Sequence, residues 1–138
     1  MPLMTDPVKK KAMSLLASLI LHAYVAKNSV LWLLGTLRMI KMTIRYGLAN
    51  ESQLAFSSAA ILVTHPLGDW KTGPHYAHLS LLMYDKLPVN ERSHRSSTMC
   101  VSPGLVLSWI KPLKGQLRDM MEGYRSGMEL GKTSTNEN

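Results

Sequence analysis

The sequence predicts an all-α protein, a stack of antiparallel helical hairpins with about five to six helices. Ten methionines stand against a single phenylalanine. Flexible methionine side chains fill irregular gaps between helices, whereas β-sandwich cores depend on aromatic and β-branched residues. Apolar residues also recur three and four positions apart, as on one face of a helix. Short segments with glycine, proline or aspartate separate these stretches, as turns between neighbouring helices do.

The first predicted helix contains the apolar run from Ala12 to Ala26, which follows the basic residues Lys9 to Lys11. A basic stretch before an apolar one also imitates a secretory signal, but no small-residue cleavage site follows. The run is shorter than the ~20 residues that span a bilayer. We therefore expect a packed helix, with a signal or membrane anchor as the alternative. Its buried face is expected to contain Met13, Leu16, Ile20 and Ala23.

The second predicted helix runs from about Ser29 to Tyr46 and ends at Gly47. Three cations, Arg38, Lys41 and Arg45, lie beside its apolar stripe. The stripe itself is expected to face the core. It consists of Val30, Leu33, Leu37, Ile40 and Ile44.

The third predicted helix, from about Ser52 to Leu67, has Ser52 as its cap and ends near Pro66. Nearly all of its residues are small or apolar, so it is expected to be buried on most sides, at the centre of the array. Gly68 and Asp69 then predict a turn, with Asp69 capping a fourth helix that continues through Lys86. The apolar pattern of that helix includes Leu79, Leu82 and Met83.

Residues 89–104 are polar and predict a loop that contains a weakened helix. An amphipathic helix follows and is expected to end at Gly131. Its apolar stripe contains Leu113, Leu117, Met120, Tyr124 and Met128. The helical-repeat domain thus covers residues 1–131, and residues 132–138 form a disordered polar tail.

The ending GMELGKTS imitates a phosphate-binding loop, which needs glycine at the position five before the glycine of GKT. That position is Ser126, and Gly127 comes one residue too late. We therefore expect no nucleotide to bind there.

One segment, Ala55 to Pro88, has the length and the order of turn residues of a tetratricopeptide-type unit. It reads as a helix, a Gly-Asp turn, the aromatic Trp70, the small Gly73 in a second helix, and then proline. The predicted architecture is therefore a tetratricopeptide-like stack of hairpins.

A family resemblance rests on three stretches of sequence, which together cover roughly residues 11 to 131. They are VLWLLGTLRMIKMTIRYGLANESQLAFSSAAILV, LGDWKTGPHYAHLSLLMYDKL and SWIKPLKGQLRDMMEGYRSGMELG. Their specific points are RYG at 45–47, GD at 68–69, Trp109 with Pro112, and EGYRSGMELG at 122–131. These stretches resemble the helical-repeat region of large multidomain signalling proteins, which combine AAA-type ATPase, serine/threonine-kinase-like and sensor histidine-kinase domains.

The resemblance implies a non-catalytic scaffold segment, because the ATPase and kinase motifs of that family lie outside the matched region. Gly73 departs from the family pattern, in which an aromatic residue follows this glycine, because Pro74 follows it here. Structural and turn roles are expected at nine positions. They are Gly47, Gly68, Asp69, Trp70, Gly73, Trp109, Pro112, Tyr124 and Gly131.

Candidate catalytic and metal-binding residues are few. His75 and His78 lie three apart on a predicted helix, but no cysteine or acid at helical spacing completes a metal site. Acidic residues are sparse around Asp85 and Glu91, so no carboxylate pair suggests acid/base chemistry. Cys100 is expected to be an ordinary thiol. We expect no catalysis, no cofactor and no metal.

The formal charge of +7 raises the question of an acidic partner. Apart from Lys9 to Lys11, the basic residues stand singly among apolar positions, and no aromatic interleaving suggests base stacking. We expect no nucleic acid as partner. The leading hypothesis is a cytoplasmic scaffold that binds a neighbouring domain or a partner helix and self-associates through uncovered repeat ends. The alternatives are a membrane-surface protein that uses its basic first helix, and an enzyme through the ATPase of a parent protein.

Overall fold

The computed structural model describes residues 1–88 and 113–135. Among these residues the protein is all-α, as predicted, and no strand is formed. Helices α1 to α4 pack in chain order, most extensively α3 with α4 and α1 with α2, and α3 also contacts both α2 and α1. The five helices are α1 (Pro7–Val25), α2 (Ser29–Tyr46), α3 (Ser52–Thr64), α4 (Gly73–Lys86) and α5 (Leu113–Thr135).

The start of helix α1 is determined by a capping aspartate and a proline in the first turn. The side chain of Asp6 accepts hydrogen bonds from the backbone N–H groups of Val8 (2.9 Å) and Lys9 (3.4 Å), and Pro7 occupies the first turn, where its missing N–H costs little. The predicted buried face is confirmed. Met13, Ile20 and Ala23 are buried and Leu16 is half-buried.

Helix α2 has the predicted boundaries, but the prediction of its buried face is wrong. Val30, Leu37 and Ile44 are exposed, and of the predicted stripe only Ile40 packs against the core. The buried face lies on the other side of the helix. It contains Gly35, Thr36, Met39, Met42 and Thr43.

Two properties of the buried side chains explain why this face of α2 packs inward: they are small, and their hydroxyl groups are hydrogen-bonded within the protein. A Cβ on Gly35 would lie 2.5 Å from Ile20 Cγ2, so the glycine allows α1 to approach α2 closely. Thr43 donates through Oγ1 to the carbonyl of Met39 (3.0 Å) and shares a hydrogen bond with Ser52 Oγ on α3 (2.8 Å). Because this hydroxyl is paired, burying threonine does not leave an orphaned polar group.

Helix α3 is central and buried along most of its length, as predicted. Ser52 is its first residue rather than its cap, which is Glu51. The hydroxyl of Ser52 instead accepts from the N–H of Ala49 (3.0 Å) and meets α2. The helix ends at Thr64, before the predicted Leu67, because Pro66 has no N–H with which to continue the helical hydrogen bonds.

The connection between α3 and α4 is a structured turn. Gly68 has φ +67°, and Asp69 Oδ1 accepts from the N–H groups of Lys71 (3.1 Å) and Thr72 (3.0 Å). Asp69 therefore closes the turn before the helix, whereas the cap of α4 is Thr72. The hydrogen bonds from Thr72, side chain first, hold the pKa of Asp69 below its ordinary value.

Helix α4 also packs several small residues against the core, while two leucines of its apolar pattern are exposed. Met83 is buried as expected, but Leu79 and Leu82 are exposed. A Cβ on Gly73 would overlap Thr64 Oγ1, so the glycine sets the closest approach of α4 to α3. Its buried residues are Gly73, Ala77, Ser80, Met83 and Tyr84.

Helix α5 continues through Gly131 to Thr135, so the prediction of a helix end at Gly131 is wrong. Glycine inside a helix lowers stability by only about 1 kcal/mol relative to alanine, and no proline follows to interrupt the backbone hydrogen bonds of the helix. Residues 132–135 are therefore helical rather than part of a tail. Trp109, Pro112 and residues 136–138, which also carried predictions, lie outside the described residues.

An N-terminal segment that the sequence did not predict lies against the junction of α2 and α3. Met4 donates its N–H to the carbonyl of Leu48 (2.8 Å), and Leu48 donates to the carbonyl of Pro2 (2.8 Å). The side chain of Met4 enters the core beside Met13 and Met39. The predicted use of methionine as core filler is thereby confirmed.

Gly47 is the position at which this arrangement is most sensitive to substitution. Its φ of +103° with ψ of 179° lies in a region open essentially to glycine, and a Cβ would lie 2.7 Å from the carbonyl oxygen of Pro2. We expect Gly47→Ala to lower the free energy of unfolding by about 3 kcal/mol through strain and loss of the Pro2 contact. Urea denaturation followed by circular dichroism measures it.

Gly68→Ala is the matched control, because Gly68 also has a positive φ but a Cβ added there would meet no atom within 4 Å. Only the backbone penalty of about 1 kcal/mol is expected there. Equal losses at Gly47 and Gly68 would contradict the role assigned to the N-terminal segment.

The Gly73–Thr64 contact makes a second prediction. Gly73→Ala is expected to destabilise the protein by about 2 kcal/mol, because the new methyl group overlaps a buried threonine side chain. In a Thr64→Ala background the same substitution is expected to cost less than about 1 kcal/mol, since the closest obstructing atom, Thr64 Oγ1, is gone and only contacts of 3.0 Å and longer remain. A double-mutant cycle in urea measures the coupling, and additive losses would show that this contact does not set the spacing between α3 and α4.

Candidate functional site

The outer face of α2 is the most distinctive surface among the described residues. Five aliphatic side chains on it are between 42% and 69% exposed. These residues, called here the α2 stripe, are Val30, Leu33, Leu34, Leu37 and Ile44. The exposed side of the helix is therefore more aliphatic than its buried side. A cluster of exposed apolar side chains on one helix is typical of a binding site.

Three cations accompany the α2 stripe in its C-terminal half, Arg38 and Arg45 along one edge and Lys41 between Leu37 and Ile44. Arg38, Lys41 and Arg45 are exposed and follow one another at helical spacing. We call them the cation row. The ring of Tyr46 joins this row to α1, because Arg45 Cζ lies 5.5 Å and Lys9 Nζ 4.9 Å from its centroid. The basic run of α1 therefore begins beside the end of the cation row.

Charge is strongly segregated along the chain. Residues 7–50 contain seven of the 16 lysines and arginines and none of the 9 acids. The rest of the sequence is balanced, so the whole formal charge of +7 resides in this segment. Sequence reasoning treated the basic residues as scattered and missed this asymmetry. A count of acids by segment, rather than of cations alone, would have found it.

Helix α2, which carries the α2 stripe and the cation row, is held by contacts on both sides and at both ends. Asn28 Oδ1 accepts from the N–H of Leu31 (3.1 Å) at its start, and Gly47 ends it. On one side Trp32 packs edge-to-face on Tyr24 of α1, with ring centroids 5.2 Å apart. On the other side the paired hydroxyls of α2 and α3 hold the helix. The α2 stripe is therefore presented on a rigid element, which favours specific binding.

The turn residues predicted from sequence have local structural roles. Gly68, Asp69 and Trp70 lie in the connection between α3 and α4, and Gly73 is the first residue of α4. The ring of Trp70 lies 5.5 Å from that of His65, edge-to-face. Gly47 lies against the N-terminal segment. None of these five contributes to the α2 stripe.

Tyr124 is exposed on α5 together with Leu117, Met121 and Met128. A cleft beside this second apolar surface is lined in part by Arg118 and Arg125. Gly131, Lys132 and Thr133 belong to the same helix. Their backbone is therefore helical, not the glycine-rich loop that wraps a phosphate.

The described residues contain no group of three side chains suited to holding a metal ion. His75 is exposed and His78 half-buried on α4. None of the described helices has the length and apolar character needed to cross a bilayer.

Comparison of the chain with protein-family models, with curated proteins and with solved structures gives no match. The α2 stripe, the cation row and the charge of residues 7–50 are therefore the features from which a function is inferred.

Proposed function

We propose that this chain is a non-catalytic helical scaffold that binds a protein partner through the α2 stripe. The observation that carries the proposal is the reversal of α2, whose large aliphatic side chains face outward while glycine and threonine face inward. Fully burying one leucine or valine side chain contributes about 1.5–3 kcal/mol. Five such side chains on one rigid helix supply enough apolar contact for a specific interface when a partner covers them.

The family resemblance of residues 11–131 supports a more specific form of the proposal. In a signalling ATPase of that kind, the partner is a neighbouring domain or a regulatory protein in the cytoplasm. The segment then transmits a change of conformation and takes no part in phosphoryl transfer. The exposed apolar side chains of α2 agree with this role, because they are available to a neighbouring domain although α2 itself packs between α1 and α3.

A membrane surface is the second candidate, and the charge of residues 7–50 favours it. Amphipathic helices with lysine and arginine on their polar side bind anionic lipid. This candidate requires binding to phosphatidylserine-containing vesicles that Lys9→Glu with Lys10→Glu abolishes. A protein partner remains the better explanation of the α2 stripe, since Lys10 and Lys11 belong to a different helix from the stripe.

Photo-crosslinking in cells tests the proposal. A photoreactive amino acid in place of Leu37 is expected to form a discrete adduct with one protein, whereas the same group in place of the exposed Lys71 is not. With that protein purified, Leu33→Ser plus Leu37→Ser is expected to weaken binding at least about tenfold, because two apolar contacts of roughly 1 kcal/mol each are lost.

Leu79→Ser plus Leu82→Ser is the matched control, because these leucines are also exposed but lie on α4. Their replacement is expected to leave the affinity unchanged. Unchanged thermal unfolding of both double variants shows that the fold is preserved. Equal labelling from positions 37 and 71, or equal losses of affinity in the two double variants, would refute the α2 stripe as the binding surface.

A further inference from the structure

We infer that the segment covering the α2 stripe is an amphipathic helix with an acidic edge, which lies along α2 with its carboxylates against the cation row. This inference rests on the proposed function and specifies the partner of the same surface. It concerns the chemistry of the partner: an apolar stripe to match five aliphatic side chains, and acids to match Arg38, Lys41 and Arg45.

The dimensions of the α2 stripe suit a helix. From Val30 to Ile44 it extends about 21 Å, since an α-helix rises about 1.5 Å per residue. A partner helix of about four turns covers this length, and helices laid on apolar surfaces anchor through side chains at spacings of three and four. An extended peptide would find no sheet edge here, because the described residues form no strand.

The charges specify the second property of the partner. Any segment that covers the α2 stripe also partly desolvates the cation row, and desolvated charges without counter-charges oppose binding. Neither α1 nor α2 contains an acid, and neither does the connection as far as residue 50. Because this segment supplies no counter-charge of its own, we expect the partner to supply acids spaced three and four apart along one edge of its helix.

A second copy of this chain that presents its own α2 fits the surface poorly. Two copies of α2 facing each other around an antiparallel two-fold axis bring both cation rows to the same edge of the interface, where they repel. A parallel two-fold axis sets each row against the opposite edge, which carries the half-buried Ile40 and no acid. Both arrangements leave Arg38, Lys41 and Arg45 without counter-charges.

A lipid surface also matches less well than a helix. Anionic headgroups would surround the α2 stripe on both edges, whereas the cations of α2 lie toward only one of them. Because the cations lie toward one edge of the α2 stripe, a partner with acids along one edge matches it better than a lipid surface does.

Synthetic peptides test the inference with the full chain. Three labelled peptides of about 18 residues share one leucine stripe and carry glutamate, glutamine or lysine along one edge. Fluorescence anisotropy is expected to show at least about tenfold tighter binding of the glutamate peptide than of the glutamine peptide, and weaker binding of the lysine peptide. The preference is expected to shrink at high salt, because exposed charges are screened.

Charge reversal supplies the matched control. Arg38→Glu with Lys41→Glu and Arg45→Glu is expected to transfer the preference to the lysine peptide. Lys71→Glu with Lys86→Glu and Lys114→Glu changes the net charge equally at exposed positions away from α2, and is expected to keep the preference for glutamate. Circular dichroism of both triple variants checks that helix content is retained.

The outcomes separate the two proposals. Equal affinity for the three peptides, or an equal effect of the two triple variants, overturns the acidic-edge inference while a protein adduct at position 37 still supports the proposed function. Tighter binding to phosphatidylcholine vesicles containing phosphatidylserine than to the glutamate peptide overturns it in favour of lipid. A preference that survives Leu33→Ser plus Leu37→Ser also overturns it, because binding would then not involve the α2 stripe.

Discussion

Close approach of helices through small residues is the constraint on which the rest of this structure depends. Gly35 admits Ile20 between α1 and α2, and Gly73 admits Thr64 between α3 and α4. Between α2 and α3 the paired hydroxyls of Thr43 and Ser52 serve the same purpose. A side chain the size of leucine at such a contact would separate the two helices. The contacting faces are therefore poor in large aliphatic residues, and those residues are found on the opposite sides.

The helices themselves could be predicted from the sequence, because their limits depend on local chemistry. The ends of α2 follow from a capping side chain before Ser29 and a glycine after Tyr46, and both ends were predicted correctly. The continuation of α5 through Gly131 could not be predicted from the glycine alone, since glycine permits a helix end but does not require one. The α3 boundary shows the converse, because Pro66 lacks the N–H that a longer helix would need.

The orientation of α2 and α4 could not be predicted, for a reason that applies to any amphipathic helix. Apolar periodicity identifies an amphipathic helix, but the apolar side can face the core or a partner. The stripe with Leu37 was assigned to the core and is exposed, and Leu79 and Leu82, which continue the apolar pattern of α4, are exposed as well. Helix α1 was predicted correctly because the face with Met13 and Ile20 is the one that packs within the chain. The wrong assignment therefore falls where large apolar side chains are exposed instead of packed within the chain.

The segregation of charge places the α2 stripe within the positively charged part of the chain. A positive segment at residues 7–50 attached to a balanced remainder attracts acidic molecules to α1 and α2 before any apolar contact forms. In the proposed interface the α2 stripe then determines which of those molecules stay, because desolvation of Leu33, Leu37 and their neighbours occurs only when a surface of matching shape covers them. Long-range attraction without the stripe would bind any polyanion, and the stripe without the cations would bind any apolar helix. Selectivity for a partner that is both acidic and apolar requires the two features on one rigid helix, which is how α2 presents them.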